Sequence, residues 1–398
     1  MDKADTAFIM MSAALVMFMT LGLALFYAGM ARRKNVLGTM MHTFFIFCLV
    51  SLLWVIGGYT LSFGPDVGGV IGSLDHIFLK GVGFEANGTI PHMLFMVFQG
   101  MFAAITVALI SGGFAERVKF SAVILFSVLW LFFIYSPLCH WVWGGGWLQK
   151  LGALDFAGGM VVHISCGVSA LVAAIVIGKR KGFPKTHMPP HNLSLTVIGM
   201  AILWFGWFGF NAGSALAADE TAVRAFVITN TAAVTATVVW VVIEWLHRGK
   251  PTLLGAVSGA VAGLGSVTPA SGFVDPWGAL LIGVVGGSLC YLAVSILKPR
   301  LGYDDTLDVF GIHGVGGIWG TLAIGLFATA GATGLFTGGG GAQLYKQAIG
   351  VIATIGFSAI GTYIIVKVVS LTIGFRVNEE DEVEGLDYSQ HGESGYHL

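Results

Sequence analysis

Long apolar runs, broken by short charged or turn-rich stretches, set the pattern of this chain. Cutting at the breaks leaves eleven runs, each long enough to cross a bilayer as a helix of about twenty residues. They fall at about 6–30, 36–63, 92–115, 118–139, 157–178, 193–217, 222–247, 252–272, 276–298, 309–331 and 345–374. Beyond Phe375 the chain turns polar and acidic, RVNEEDEVEGLDYSQHGESGYHL. The expected fold is an all-α polytopic membrane protein, with a transmembrane domain over 1–374 and a C-terminal tail over 375–398.

Lysine and arginine orient the spans, because cytoplasmic loops retain positive charge. With the N-terminus outside, Arg32, Arg33, Lys34, Arg117, Lys119, Lys179, Arg180, Lys181, Lys185, Arg248, Lys250, Lys298, Arg300 and Arg376 fall inside. Only Lys3, Lys80, Lys150, Arg224 and Lys346 are then outside. The expectation is N-out and C-in, in the cell membrane, with a cytoplasmic tail. Span five then enters from outside and span ten from inside. Each begins near an aspartate (Asp155, Asp308) and carries one histidine in its first turns (His163, His313). Two inverted five-helix halves, about 6–178 and 193–331, followed by an eleventh helix, are the arrangement of inverted-repeat transporters, whose sites lie near the midplane.

Composition agrees with lipid as the solvent. The 398 residues are 56% hydrophobic and 10% charged, against about 25% charged in soluble chains, and the mean hydropathy is +0.84. A net charge of -1 points to no nucleic acid. The start, MDKADTAF, lacks the basic region of a secretory signal, so the first run reads as a retained helix. Cys48, Cys139, Cys166 and Cys290 stand singly in apolar runs and read as buried small hydrophobes, without a disulfide framework or zinc spacing. The 58 glycines suit close helix packing.

Ionisable groups inside a span are costly and default to a functional reading. His163 and His313 lie well inside apolar segments, flanked by small residues in HISCG and HGVGGIWG. A neutral imidazole donates at one nitrogen and accepts at the other, so such a pair can hold a small N–H solute or pass a proton. Contact between them requires tilt, or a break at Gly311 or Gly314. Two histidines alone make a poor metal site. Asp155, ahead of FAGGMVVH, is a natural helix cap and can also attract a cation. Of Trp141, Trp143 and Trp147, the first and last suit an interfacial belt, and one ring near Asp155 could hold a cation against its face. Phe102 and Phe210 could close a pore with apolar rings, and Ser214 could offer a hydroxyl oxygen. Glu244 and Lys367, toward helix ends, read as snorkelling side chains without a function.

At these residues the chain resembles the ammonium transporter family (Amt/Mep, with the Rh proteins as distant relatives). The resemblance is carried by ALFYAGMARRKNVL, FQGMFAAITVALISGGFAER, DFAGGMVVHISCGVSALVAA, WFGWFGFNAGSA, DVFGIHGVGGIWG and EGLDYSQHGE, in order from end to end. It implies a homotrimer with one pore in each subunit. The outer cation site would fall on Phe102, Trp143 and Ser214, with Asp155 beneath. Phe102 and Phe210 would be the gate, His163 and His313 the pore histidines, and Gln99, Trp207 and Thr268 further pore-region positions. The tail and loop 179–193 would contact a PII-type regulatory protein. Two departures stand out: MTLGLALFY lacks a proline that many members carry, and Cys166 replaces a smaller residue beside His163. Trp143 and Ser214 favour the Amt branch over Rh.

The expected function is selective ammonium transport, with methylammonium a candidate second substrate and no cofactor or metal. Ammonium would be bound outside and deprotonated, and ammonia would pass the rings, its proton following the histidine pair. A neutral ammonia or gas channel of Rh type and an ammonium sensor signalling through its tail are the alternatives. An intramembrane enzyme is disfavoured, because no nucleophile or paired carboxylates accompany the histidines.

Overall fold

The computed structural model describes residues 1–396; positions 397 and 398 of the expected tail lie outside the described residues. Among the described residues, eleven helical segments are long and apolar enough to span a membrane. In chain order they are Lys3–Met30, Arg33–Phe63, His92–Gly113, Phe120–Leu151, Gly159–Ile177, Leu193–Gly213, Glu220–Arg248, Leu253–Ala270, Pro276–Leu301, Phe310–Phe327 and Ala342–Thr372. Their number and order match the expectation.

The fourth span runs farther than expected. Its helix passes through a π-turn at Leu131–Tyr135, continues to Trp143, breaks at Gly144–Gly146 and resumes over Trp147–Leu151. His140, one residue past the expected end, lies inside the helix, and the fold absorbs its polarity. The ring is buried, with Nδ1 3.0 Å from the Ser62 carbonyl and Nε2 2.9 Å from the Asp66 carboxylate.

Short polar residues start the helices, as unpaired first-turn N–H groups require. Asp2 accepts from the Ala4 and Asp5 amides at 2.7 and 3.0 Å, Asn192 from Leu195 at 2.9 Å, and Asp275 from Gly278 at 2.7 Å. Span two is capped by the tail. Asp387 Oδ1 accepts from the Gly38 amide at 2.7 Å, while Asn35, placed to cap that helix, instead accepts from the Leu386 amide at 2.8 Å. Glu244 is also an anchor and does not snorkel. It is buried, and its carboxylate accepts from the Thr252 amide and hydroxyl, each at 3.0 Å, at the start of span eight. Cys139, Cys166 and Cys290 are buried, whereas Cys48 is exposed on the outer surface of span two, contrary to expectation.

Spans one and six lie against each other because glycine removes the side chains between them. A Cβ on Gly199 would strike the Phe26 backbone, and one on Gly29 would strike Thr196. Loops 64–91 cover one face of the molecule and hold two short antiparallel pairs, Asp66–Val67 with Ile71–Gly72 and Ala86–Asn87 with Ile90–Pro91.

The opposite face carries the tail and a buried ion network. Glu116, 1% exposed, accepts from the Arg32 amide and Nε at 2.5 and 2.6 Å and from Arg180 Nη1 at 3.1 Å. Asp304 takes Arg180 through Nη2 at 2.8 Å and Nε at 3.0 Å. Arg117 donates to Thr306 Oγ1 at 2.6 Å and to the Asp304 carbonyl at 2.7 Å. Loops after spans one, three, five and nine are thus tied together. The tail joins through Glu382, which accepts from the Lys181 amide at 2.6 Å and from Arg376 Nη2 at 2.7 Å. Burial alone would raise the Glu116 carboxyl, but Arg180 and Arg32 overcome that and hold it below its ordinary value.

Replacing Glu116 with Gln leaves Arg32 without its carboxylate and Arg180 with Asp304 alone, and breaking such a buried pair costs about 3–5 kcal/mol. The unfolding midpoint of the E116Q protein in detergent should fall accordingly at neutral pH. A carboxyl lowered by folding stabilises above its unfolded pKa and loses that contribution as pH falls through the folded value. The difference between E116Q and wild type should therefore hold at neutral pH and close only in acid. Equal midpoints at pH 7 would count against the network.

Candidate functional site

Spans five and ten each open with a π-turn, Gly159–Ile164 and Phe310–Gly314, and each turn carries a histidine. A helix that begins in apolar surroundings exposes amides that no water can satisfy. Asp155 satisfies four of them. Its Oδ1 accepts from Gly158 and Gly159 at 2.8 and 2.6 Å, and its Oδ2 from Met160 and Val161 at 2.7 and 3.3 Å. Gly158, with φ 118, permits the turn that aims these amides at one carboxylate.

Span ten repeats the device with Asp305, and not with the expected Asp308. Asp305 lies eight residues before His313, as Asp155 lies eight before His163. Its Oδ2 accepts from the Phe310 amide five residues on, at 2.8 Å, as Asp155 Oδ2 accepts from Met160. Burial pushes the Asp305 carboxyl up to about 6. Asp308 adopts a left-handed backbone, φ 61, and its carboxylate pairs with Lys298 Nζ at 2.6 Å.

His163 and His313 meet directly. Their Nδ1 atoms are 3.1 Å apart, and the buried rings stack with centroids 5.2 Å apart at 12°. Glycine makes the approach possible: a Cβ on Gly167 would strike the Gly314 backbone, and one on Gly317 would reach within 2.8 Å of His163 Cβ. Between two like nitrogens, one ring must donate and the other accept. His163 Nε2 is buried without a partner in the protein. Trp207 stacks on His163 at 5.6 Å and is itself fixed by donating from Nε1 to Thr268 Oγ1 at 2.8 Å. Cys166 fits without strain, its Sγ directed at the His163 carbonyl at 3.5 Å.

From the histidines the column continues toward the loop-covered face. Phe210 lies 6.3 Å from His163, and Phe102 lies 4.2 Å from Phe210, both rings buried. Beyond Phe102 is a cavity of about 230 Å³, whose lining includes Gln99, Phe102, Trp143, Asp155 and Ser214. Trp143 presents its ring edge-on to Phe102 at 6.1 Å and donates from Nε1 to the Asp155 carbonyl at 2.8 Å. Ser214 Oγ donates to the Phe210 carbonyl at 2.8 Å, so its oxygen lone pairs remain available as acceptors. Gln99 Oε1 is buried and unpartnered. Trp141 and Trp147 pack on each other, and Trp141 on Phe357, away from this cavity. The residues named from sequence thus form one column, with Thr268 reaching it through Trp207. Asp305 was missed, and its eight-residue offset from His313 was the available signal.

Fold and site define a polytopic helical membrane protein with a histidine pair sealed behind phenyl rings. Comparison with known proteins gives the family. The Ammonium Transporter Family profile matches residues 7–396, and the chain belongs to that family. It is 54% identical to an ammonium transporter of Bacillus subtilis, covering 100% of this chain and 99% of that one. Among solved structures it is similar to Mep2 of Candida albicans, with a TM-score of 0.90 and 36% identity, covering 96% of this chain and 87% of that one. A protein described as a sensor Amt protein matches with a TM-score of 0.92 and 30% identity, covering 98% of both chains.

An Asp155→Ala protein leaves four buried amides without their acceptor, at about 1–3 kcal/mol for each unsatisfied group. Its unfolding midpoint in detergent should drop well below wild type. Asp155→Asn, whose amide oxygen can still accept, should fall between the two. A midpoint for Asp155→Ala equal to wild type would remove the carboxylate from its anchoring place.

Proposed function

We propose that the chain moves ammonium across a cell membrane and rejects potassium, with the loop-covered face outside and the tail face in the cytoplasm. The observation that carries this reading is the buried contact of His163 and His313 behind Phe102 and Phe210. Ammonium and potassium are similar in size, so width alone cannot separate them. A cation entering an apolar constriction loses hydration at a large cost. Ammonium can escape that cost by releasing a proton, and potassium cannot.

In this reading the cavity at Phe102, Trp143 and Ser214 collects ammonium against a ring face and a hydroxyl oxygen, with the Asp155 charge beneath. Gln99 offers a further acceptor at the rim. Ammonium gives up its proton to the open His163 Nε2, and ammonia passes between Phe102 and Phe210. The histidines, steadied by Trp207 and Thr268, exchange hydrogen bonds with it and carry the proton along their Nδ1–Nδ1 contact, so that transport moves charge. The matched Asp155–His163 and Asp305–His313 spacings support two inverted halves. The same reading assigns a homotrimer, and a PII-type protein docking where loop 179–193 and the tail adjoin at Lys181, Glu379 and Glu382. A sensor that signals through the tail is the second reading, favoured by the likeness to the sensor Amt protein.

Proteoliposomes given an ammonium pulse should pass a current that a potassium pulse does not evoke. His163→Ala should lose that current or begin to conduct potassium. Internal alkalinisation without current would mean that neutral ammonia crosses and the proton stays outside. Silence in both readouts, with ammonium still bound, would favour the sensor.

A further inference from the structure

The two mouths of the histidine column differ in how their carboxylates are met. At the Asp155 mouth the carboxylate faces backbone amides, and no basic side chain lines the cavity. On the tail face a cavity of about 290 Å³ lies between loop 180–190, the ends of spans one, eight and nine and the approach to span ten, and in the transport reading it is the second mouth. Its acid is Asp308, which points into it five residues before His313. That carboxylate is only 20% exposed and is already matched by Lys298 Nζ at 2.6 Å.

The other ionisable groups facing this space offer a cation no substitute. Arg180 is positive and is held by Glu116 and Asp304. His187 also lines the cavity, and Asp305 is buried behind it, accepting from the Phe310 amide. The backbone places Asp308 with care, since a left-handed φ at a non-glycine residue is sparsely populated and asparagine is one of the few alternatives that tolerate it.

We propose that Lys298 sets the directionality of substrate affinity by neutralising Asp308, so that the tail-face mouth has no free carboxylate and releases ammonium instead of retaining it. This rests on the transport reading above. One mouth then concentrates the cation and the other does not, although both are built next to an aspartate. A passive route must keep the ratio of maximal rate to half-saturation equal in both directions at zero potential. Weak binding at the tail face is therefore matched by fast entry from that side at high ammonium.

The test uses the full-length protein, oriented in vesicles, with ammonium supplied at the tail face and the half-saturation concentration read from flux. Lys298→Met exposes the Asp308 charge and should lower that half-saturation about threefold to tenfold, with a lower maximal rate. Asp308→Asn leaves Lys298 unpaired and should raise it by a similar factor. The double variant, K298M with D308N, restores neutrality and should return to near the wild-type value. Half-saturation at the Asp155 face should move less in every case. Shifts of the same sign in the two single variants, or no shift in either, would overturn the proposal. A double variant that stays at the value of one single variant would overturn it too. Loss of flux in the wild type would instead sink the transport reading, so the two failures are distinguishable, and unfolding midpoints identify any variant that fails to fold.

Discussion

A backbone amide inside a bilayer must find a partner within the protein, and this constraint shapes the centre of the molecule. Spans five and ten both start within the fold, so each needs an acceptor that an ordinary loop does not supply. A buried carboxylate meets that need in both places, with Asp155 taking four amides and Asp305 taking that of Phe310. Once the starts are pinned, the π-turns that follow fix the rotation of each helix and therefore the side on which its histidine emerges. The glycines at 167, 314 and 317 then let the two helices close until the rings touch.

The same economy governs the rest of the column. Few of its polar groups are free to move. The Trp143 indole is held by the Asp155 carbonyl, Trp207 by Thr268, and the Ser214 hydroxyl by the Phe210 carbonyl. What remains uncommitted is a small set of atoms, His163 Nε2 and Gln99 Oε1 among them. In a well-packed protein such orphans are uncommon and carry a desolvation cost. Here these two lie on either side of the Phe102–Phe210 pair, Gln99 in the cavity lining and His163 beyond Phe210.

Much of this was legible in the chain. Runs of apolar residues locate the spans because a bilayer imposes a minimum length, and His163 and His313 stand out because their surroundings are apolar. Asp305 did not stand out. It sits in YDDTLD, where three acids crowd into five positions, and hydropathy cannot say which of them turns inward. Asp304 goes to arginines, Asp305 to a helix start and Asp308 to a lysine, a division that only the folded loops impose. The end of span four was missed for another reason: the polar His140 lies just past the expected bound at 139, yet Ser62 and Asp66 satisfy it within the fold. Glu244 read as a snorkelling residue because its partner, Thr252, lies across a turn that its own helix does not reveal.

The exchange of caps between span two and the tail bears on how the chain is made. Gly38 and Asp387 are 349 residues apart, a separation that takes the ribosome about twenty seconds to a minute to translate. Throughout that interval the first turn of the second helix lacks the Asp387 carboxylate that accepts from Gly38 in the folded protein. In the folded chain the Asn35 side chain accepts from the Leu386 amide and not from its own helix. Two segments far apart in the chain thus complete each other: Asp387 caps the helix that follows Asn35, and Asn35 caps the turn that opens at Leu386.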